Sequence, residues 1–367
     1  MTDYKRQLIS YIAPAAPATR RPADGDETFL RPEVGFTPKW YHDALGIDFG
    51  ERWHTDPLYR RDTVVAMRDE LRRRFPGTRV GNTNLPDKPL DLVTGTFGGS
   101  FMASVFGVPI IYAEDNWPNS AHKYLSDEEM ATIEPPDLEK NEFFQGFMAQ
   151  LDTIAESEGQ IIGFINPQGI LNTSQRLRGE MLFMDMMESP DACRNLFDAV
   201  CETMIRVVDA VRERQRESGV DYTFFTVSNC LVNMVSGRMY EELLLPYDLR
   251  IAERYEILGI HNCAWNATPY IDSYAQVKNL AYMDMGHDSD MERAKAAFPH
   301  ARRAIMYTPM DVANKSLEEI RTDFTRIAEQ YGPCDLVLAD IETDTPDERV
   351  NAVIEICDDL SREYGDS

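Results

Sequence analysis

From residue 160 onward the chain alternates short apolar, β-forming runs with longer amphipathic ones, and this restricts the fold more than any other feature. Strands are expected at 160–165 (QIIGFI), 221–227 (DYTFFTV), 257–260, 280–284 (LAYMD), 303–307 and 336–340 (LVLAD). Helices are expected at 188–217, at 238–255 with a break at Pro246, and at 271–277, 291–297, 317–331 and 345–364. Upstream, 60–74 and 139–158 read as helices and 110–113 as the end of another strand. Strand–helix alternation of this kind gives a parallel sheet. Roughly eight strand candidates over ~300 residues fit an α/β fold with a single (β/α)8 TIM barrel. A doubly wound open sheet is the alternative, but the Gly98-Gly99 pair stands in no dinucleotide or phosphate-loop context. The expected organisation is a barrel over 46–367, with 1–45 as an N-terminal extension or arm covering it. Within that arm the aromatic-basic stretch 29–41 is expected to close over the barrel mouth. Arg31 and Lys39 could grip an anion there, although docking by the aromatics alone is the plainer reading.

A net charge of −25, from 37 basic and 62 acidic residues, argues against nucleic acid or an anionic membrane as partner. No apolar run approaches the ~20 residues needed to span a bilayer. The first residues lack the charged-then-apolar pattern of a secretory signal, and the six cysteines follow no disulfide framework. A cytoplasmic enzyme with reduced thiols is the expectation, and assembly as a homodimer is compatible with it.

The chemistry concentrates at the ends of the strands. In ILGIHNCAWNATPY (257–270), His261 and Cys263 stand two apart after an apolar run. On an extended strand residues i and i+2 share a face, so an imidazole and a thiol would project together, which suits zinc. In a barrel the residues just past each strand share one face. Here these are Asp115 and Asn116, Asn166 and Gln168, Asn229 and Cys230, His261 and Cys263, Asp284 and His287, Tyr307, then Asp340 and Glu342. A catalytic zinc keeps three protein ligands and one open position; the third could be Asp340, Glu342, Asp284 or Cys230.

Four segments carry a resemblance to a known group: Asn166-Pro167-Gln168-Gly169, MYEELLLPYDLR at 239–250, the His261-x-Cys263 strand end, and DIETDTPDERV at 340–350. Through them the chain resembles the uroporphyrinogen decarboxylase superfamily, and within it the zinc-dependent corrinoid methyltransferase branch. The resemblance implies a (β/α)8 barrel whose His-x-Cys pair binds zinc and which moves a methyl group to or from a corrinoid. No corrinoid-binding DxHxxG occurs, so the corrinoid is expected on a partner protein, or a folate in its place. The methyltransferase branch carries a last cysteine ligand near the final strand. Residues 336–345 contain none, and Cys334 precedes the strand. Asp340 is therefore taken as third ligand beside His261 and Cys263. A carboxylate donates less charge than a thiolate, which favours a methylated oxygen or nitrogen as the group activated. The expected substrate is thus a small methoxylated or N-methylated compound. Asp115, Asn229 and Tyr307 are the catalytic candidates, and Asn116, Trp117, Asn166 and Trp265 the substrate-binding ones. The arginine-rich segment of the decarboxylases is not recognisable in FLRPEVGFTPKWY. A metal-free lyase acting on a carboxylated small molecule, with Asp115 and Tyr307 beside a protonated carbon, is the alternative.

Overall fold

A computed structural model describes residues 28–78, 80 and 88–365. Residues 1–27 of the expected arm, and Ser367 and Asp366 at the other end, lie outside the described residues. In chain order the strands are β1 (Leu30–Phe36), β2 (Ile110–Ile111), β3 (Asn119–Ser120), β4 (Phe224–Ser228), β5 (Ile257–His261), β6 (Leu280–Gly286), β7 (Arg302–Met306) and β8 (Cys334–Ile341). Six of them form one parallel sheet in the order β1-β8-β7-β6-β5-β4. Two further extended stretches meet in a parallel bridge between Asp91 and Ile162, and with the six strands they make the eight β-units of the barrel. These two stay short for a local reason. Asp91 folds its carboxylate back onto the N–H groups of Val93 and Thr94, at 3.1 and 2.9 Å, and turns its own strand aside after one paired residue.

Alternation along the strands separates two faces. Met283, Met285, Ile305, Leu336 and Leu338 join the main core under the helices, whereas Tyr282, Ala304, Met306, Val337 and Ala339 form a separate cluster facing inward. At the strands' N-terminal end the interior is polar. Arg31 and Arg302 both pair with the buried Asp335, Arg31 through Nε and Nη2 at 2.9 and 2.8 Å. Glu33 lies 3.3 Å from Arg31 Nη2, so the plug contains two cations and two anions.

This placement corrects the expected boundary at residue 45. Leu30–Phe36 is a barrel strand paired with β8, not part of an arm over the mouth. It runs parallel to β8 from Leu30 opposite Cys334 to Phe36 opposite Ile341, and Arg31 serves the plug at the end remote from the strand-end residues. The aromatics that follow dock by packing: Phe36 and Trp40 rings lie 4.3 Å apart, Phe36 and Phe75 5.4 Å. Lys39 does reach the other end, where it pairs with Asp43 at 3.0 Å.

The helices stand close to where the sequence places them: Pro57–Arg74, Glu142–Glu158, Pro190–Glu217, Met291–Ala297, Leu317–Tyr331 and Asp347–Gly365. The expected break at Pro246 separates Gly237–Leu243 from Leu245–Arg254. Residues 110–113 differ. Ile110–Ile111 pairs antiparallel with Asn119–Ser120 in a hairpin outside the main sheet. Ile111 is 56% exposed, so the apolar run that reads as a buried strand is a surface ribbon instead. Among the described residues no helix is long and apolar enough to cross a membrane.

Candidate metal centre

Parallel pairing of β4, β5 and β6 aligns Ser228 with His261 and His261 with Asp284. This register brings the residues just past β4 beside those just past β5. Cys230, His261 and Cys263 each offer a ligand atom, and all three atoms lie within 4.8 Å of one another. The convergence of His261 and Cys263 does not come from an extended strand. β5 ends at His261, and Cys263 has φ +63°, a left-handed turn conformation uncommon for a side-chain-bearing residue.

Asp284 holds that turn. Its Oδ1 accepts the N–H groups of Asn262 and Cys263 at 2.9 and 3.1 Å, and its Oδ2 meets His261 Nδ1 at 2.7 Å and the Tyr282 hydroxyl at 3.1 Å. With Nδ1 occupied by Asp284, Nε2 is the ring nitrogen left for the thiols. A carboxylate–histidine pair of this form fixes tautomer and ring orientation in metal sites.

The charges on the three donors are interdependent. The Cys263 thiol donates to Cys230 and, against burial, holds the Cys230 thiol well below the ordinary cysteine range, helped by the charge on His261. The Cys263 thiol is shifted the other way, pushed up by its bond to Cys230 and then by burial. Burial pulls the His261 imidazolium down, but Asp284 and the Cys230 thiolate outweigh it and hold it well above the ordinary histidine range. Ser228 Oγ lies 3.1 Å from Cys230 Sγ. Two sulfurs and an imidazole nitrogen, already sharing negative charge and backed by a carboxylate, form a donor set that fits zinc.

The three donors line a cavity of about 900 Å³ together with Asn166, Gln168, Arg176, Met306 and Asp340. The β2–β3 hairpin and the residues after it add Trp117, Asn119 and Tyr124 to the lining. Of the residues singled out from the sequence, Cys230, His261, Cys263, Asp340, Asn166, Gln168 and Trp117 share this cavity. Asp340 lines it without belonging to the close group of three; the third donor there is Cys230. Burial and the charge of Glu342 raise the Asp340 carboxyl, with His261 opposing.

The other candidates sit elsewhere. Asp115 lies in the hairpin turn, half-exposed and 4.0 Å from Lys39 Nζ, and Asn116 caps the N–H of Trp117. Asn229 turns its amide away from the cavity onto Asp248 Oδ2 at 2.7 Å. The Tyr307 hydroxyl binds Asp323 at 2.8 Å, behind the barrel wall. Trp265 is 50% exposed and outside the cavity. Asp284, named from the sequence as a possible ligand, instead supports the donors from behind, and Arg176 was not singled out at all. The sequence signal for Asp284 was its place at a strand end; nothing local marks Arg176 within its helix.

Residues 87–360 match the uroporphyrinogen decarboxylase (URO-D) family over well more than half of the chain. The chain belongs to this family. The URO-D match includes every residue of the cavity named above and begins after β1. Among solved structures, a methyltransferase from Methanosarcina mazei aligns at a TM-score of 0.62 with 14% identity, covering 95% of this chain and 97% of that one. At that identity the likeness concerns the fold, and it extends beyond the URO-D match to nearly the whole chain. No curated protein matches the sequence.

Proposed function

We propose that this URO-D family member is a zinc-dependent methyltransferase that moves a methyl group between a small methoxylated or N-methylated compound and a corrinoid on a partner protein. The observation that carries the reading is the convergence of Cys230, His261 and Cys263 on the wall of a cavity large enough for a small molecule. Cys230, His261 and Cys263 would hold the zinc, with Asp340 outside the donor set. When bound, zinc supplies a Lewis acid that lowers the basicity of the heteroatom losing its methyl group, which is the barrier that makes ethers and amines inert.

The chain's own residues do the rest. Asp284 fixes the His261 ring and the turn at Cys263. Asn166 and Gln168 offer polar contacts to the substrate, Asn166 being held by its bond to the Gln168 N–H at 3.0 Å. Trp117 supplies an aromatic wall to the cavity. Asp340 faces the same space with a carboxyl raised by burial, placed to take or give a proton on the demethylated product.

A second reading has one observation in its favour. Two cysteine donors give more charge than one cysteine and a carboxylate, which suits a thiol as the methylated or accepting group. A Cys2His set serves oxygen ligands as well as sulfur ones. Incubation of the zinc-loaded enzyme with a reduced corrinoid protein and a panel of methoxy-aromatics, methylamines and methyl thioethers separates them by which donor yields methylcobamide. Carbon dioxide released from a carboxylated substrate, with no methylcobamide from any donor, would put the metal-free lyase in place of the methyltransferase.

A further inference from the structure

Arg176 sits on the helix Ile170–Arg178 and lines the cavity that holds the three metal-ligating residues. Its Nη1 donates to Asn119 Oδ1 at 3.1 Å and Ser120 Oγ at 3.2 Å, both neutral. Among the described residues no carboxylate pairs with this guanidinium, in a chain with 62 acidic residues against 37 basic. Arg178, on the same helix, shows the contrast: it is gripped by both Asp127 and Asp185. Arg176 is half-buried, and burial lowers its pKa, with the charge of Cys230 opposing.

Gly99 supplies an independent observation. A side chain begun there would start 3.0 Å from Arg176 Nη2 and 3.1 Å from Gln168 Nε2. The Gln168 amide is oriented by Asn172 Nδ2, which donates to its Oε1 at 3.1 Å and so leaves the NH₂ group facing the other way. Two N–H donors from different parts of the chain thus come together beside Gly99, packed too closely for a Cβ, on the lining of one cavity. That glycine belongs to the Gly98-Gly99 pair, which has no phosphate-loop context in the sequence.

We propose that Arg176 and Gln168 form a carboxylate-binding subsite over Gly99, so that the molecule processed here is a small carboxylic acid whose methyl-bearing heteroatom lies toward Cys230, His261 and Cys263. The anion subsite stands on Arg176, Gln168 and Gly99 alone; only the statement about the heteroatom rests on the methyltransferase reading. A guanidinium presents parallel N–H groups to a carboxylate, a geometry that lysine lacks.

The test is equilibrium binding to the purified full-length protein, which needs no turnover. Calorimetric titrations compare methoxybenzoate and methoxyacetate with their uncharged amides, and inorganic phosphate serves as competitor. At least one carboxylate is expected to bind about tenfold or more tightly than its amide, a factor worth ~1.4 kcal/mol. Arg176→Gln is expected to abolish that preference, and Arg176→Lys to keep only part of it. Gly99→Ala, which retains the charge and the Asn119 and Ser120 bonds, is expected to weaken the carboxylates more than the amides. It also guards against Arg176→Gln failing to fold. Equal binding of acid and amide, undetectable binding of both carboxylates, or a preference that survives in both Arg176→Gln and Gly99→Ala would overturn the proposal. Phosphate binding more tightly than the better carboxylate overturns the carboxylate assignment. A carboxylate preference lost in the variants, with no methyl transfer from any donor, supports the subsite and removes the methyltransferase reading instead.

Discussion

At Asp284 one buried carboxylate accepts from the imidazole of His261, two consecutive backbone N–H groups and the Tyr282 hydroxyl. Each bond fixes something the metal-ligating group needs: a ring orientation, a tautomer, or the left-handed turn at Cys263. Replacing Asp284 by Asn keeps the shape but turns an acceptor into a donor on one side. Zinc affinity should fall about 10–100-fold, as for other outer-shell partners of metal-bound histidines. Competition against a chromophoric chelator measures this, with thermal unfolding run beside it to separate affinity from folding. Undiminished zinc affinity would mean that Asp284 only ties strands together. The donors themselves make a second prediction. Cys230→Ser and Cys263→Ser should each lose stoichiometric zinc, whereas Asp340→Ala and Cys334→Ser should retain it, by elemental analysis of the purified proteins. Loss in Asp340→Ala together with retention in Cys230→Ser would restore Asp340 as third donor. The pair His261 and Cys263 was legible because two apart at a strand end is a local pattern. Cys230 was legible only as one option of four, since its approach depends on the β4–β5 register, which no local pattern encodes.

The elements around the site were read more completely than their junctions. Helices such as Met291–Ala297 and Leu317–Tyr331 announce themselves by apolar spacing and by capping residues, with Ser316 and Glu319 making a capping box at the second. The hairpin β2–β3 was misread because Val-Pro-Ile-Ile-Tyr is as apolar as a buried strand, and periodicity alone does not say which sheet a short run joins. β1 was missed because Arg31, Pro32 and Glu33 look like loop, their burial depending on partners some 300 residues away. A tie between elements gives a pH-dependent prediction. Asn229, at the end of β4, and Tyr240, in Gly237–Leu243, both donate to Oδ2 of Asp248 in Leu245–Arg254. Burial, opposed by those two bonds, pushes the Asp248 carboxyl up from 3.8 to about 6. The folded state therefore holds this proton more tightly than the unfolded one. Its contribution favours folding below 3.8 and is lost as pH rises through about 6. Asp248→Asn can keep both bonds on its remaining oxygen and carries no charge. It should unfold at a higher temperature than the parent at about pH 8, with the difference shrinking toward about pH 5. An Asp248→Asn protein less stable at the higher pH would show that the charge-assisted bonds outweigh desolvation.

Across the whole molecule the barrel separates its two ends by chemistry. The C-terminal strand ends open into the cavity with sulfur, imidazole and amide groups, while the N-terminal end is closed by the plug of Arg31, Glu33, Arg302 and Asp335. Placing charge rather than aliphatic side chains at the closed end contributes little net stability against a well-packed apolar substitute, because desolvation offsets much of the attraction. Its value lies in closure: Arg31 on β1 and Arg302 on β7 both reach Asp335 on β8, so one carboxylate fastens three strands whose pairing joins the start of the described chain to its end. Burial would raise the Asp335 carboxyl, but the two guanidiniums overcome it and hold it below its ordinary value of 3.8. A depressed folded pKa means that its contribution is present above 3.8 and lost as pH falls through the lower folded value. Removing the carboxylate takes from Arg302 the anion it pairs with and leaves Arg31 only Glu33, at 3.3 Å, a change that costs about 3–5 kcal/mol for buried pairs. Asp335→Ala should lose stability of that order at neutral pH in denaturant-induced unfolding. Its deficit against the parent should narrow in acid, where the parent's own carboxyl takes up a proton. Asp335→Ala combined with Arg302→Met, which removes the cation left without its carboxylate, should recover part of the loss. A deficit under about 1 kcal/mol in the single variant would mean that water reaches the plug and screens it. In that case closure of the barrel would rest on the β1–β8 ladder alone.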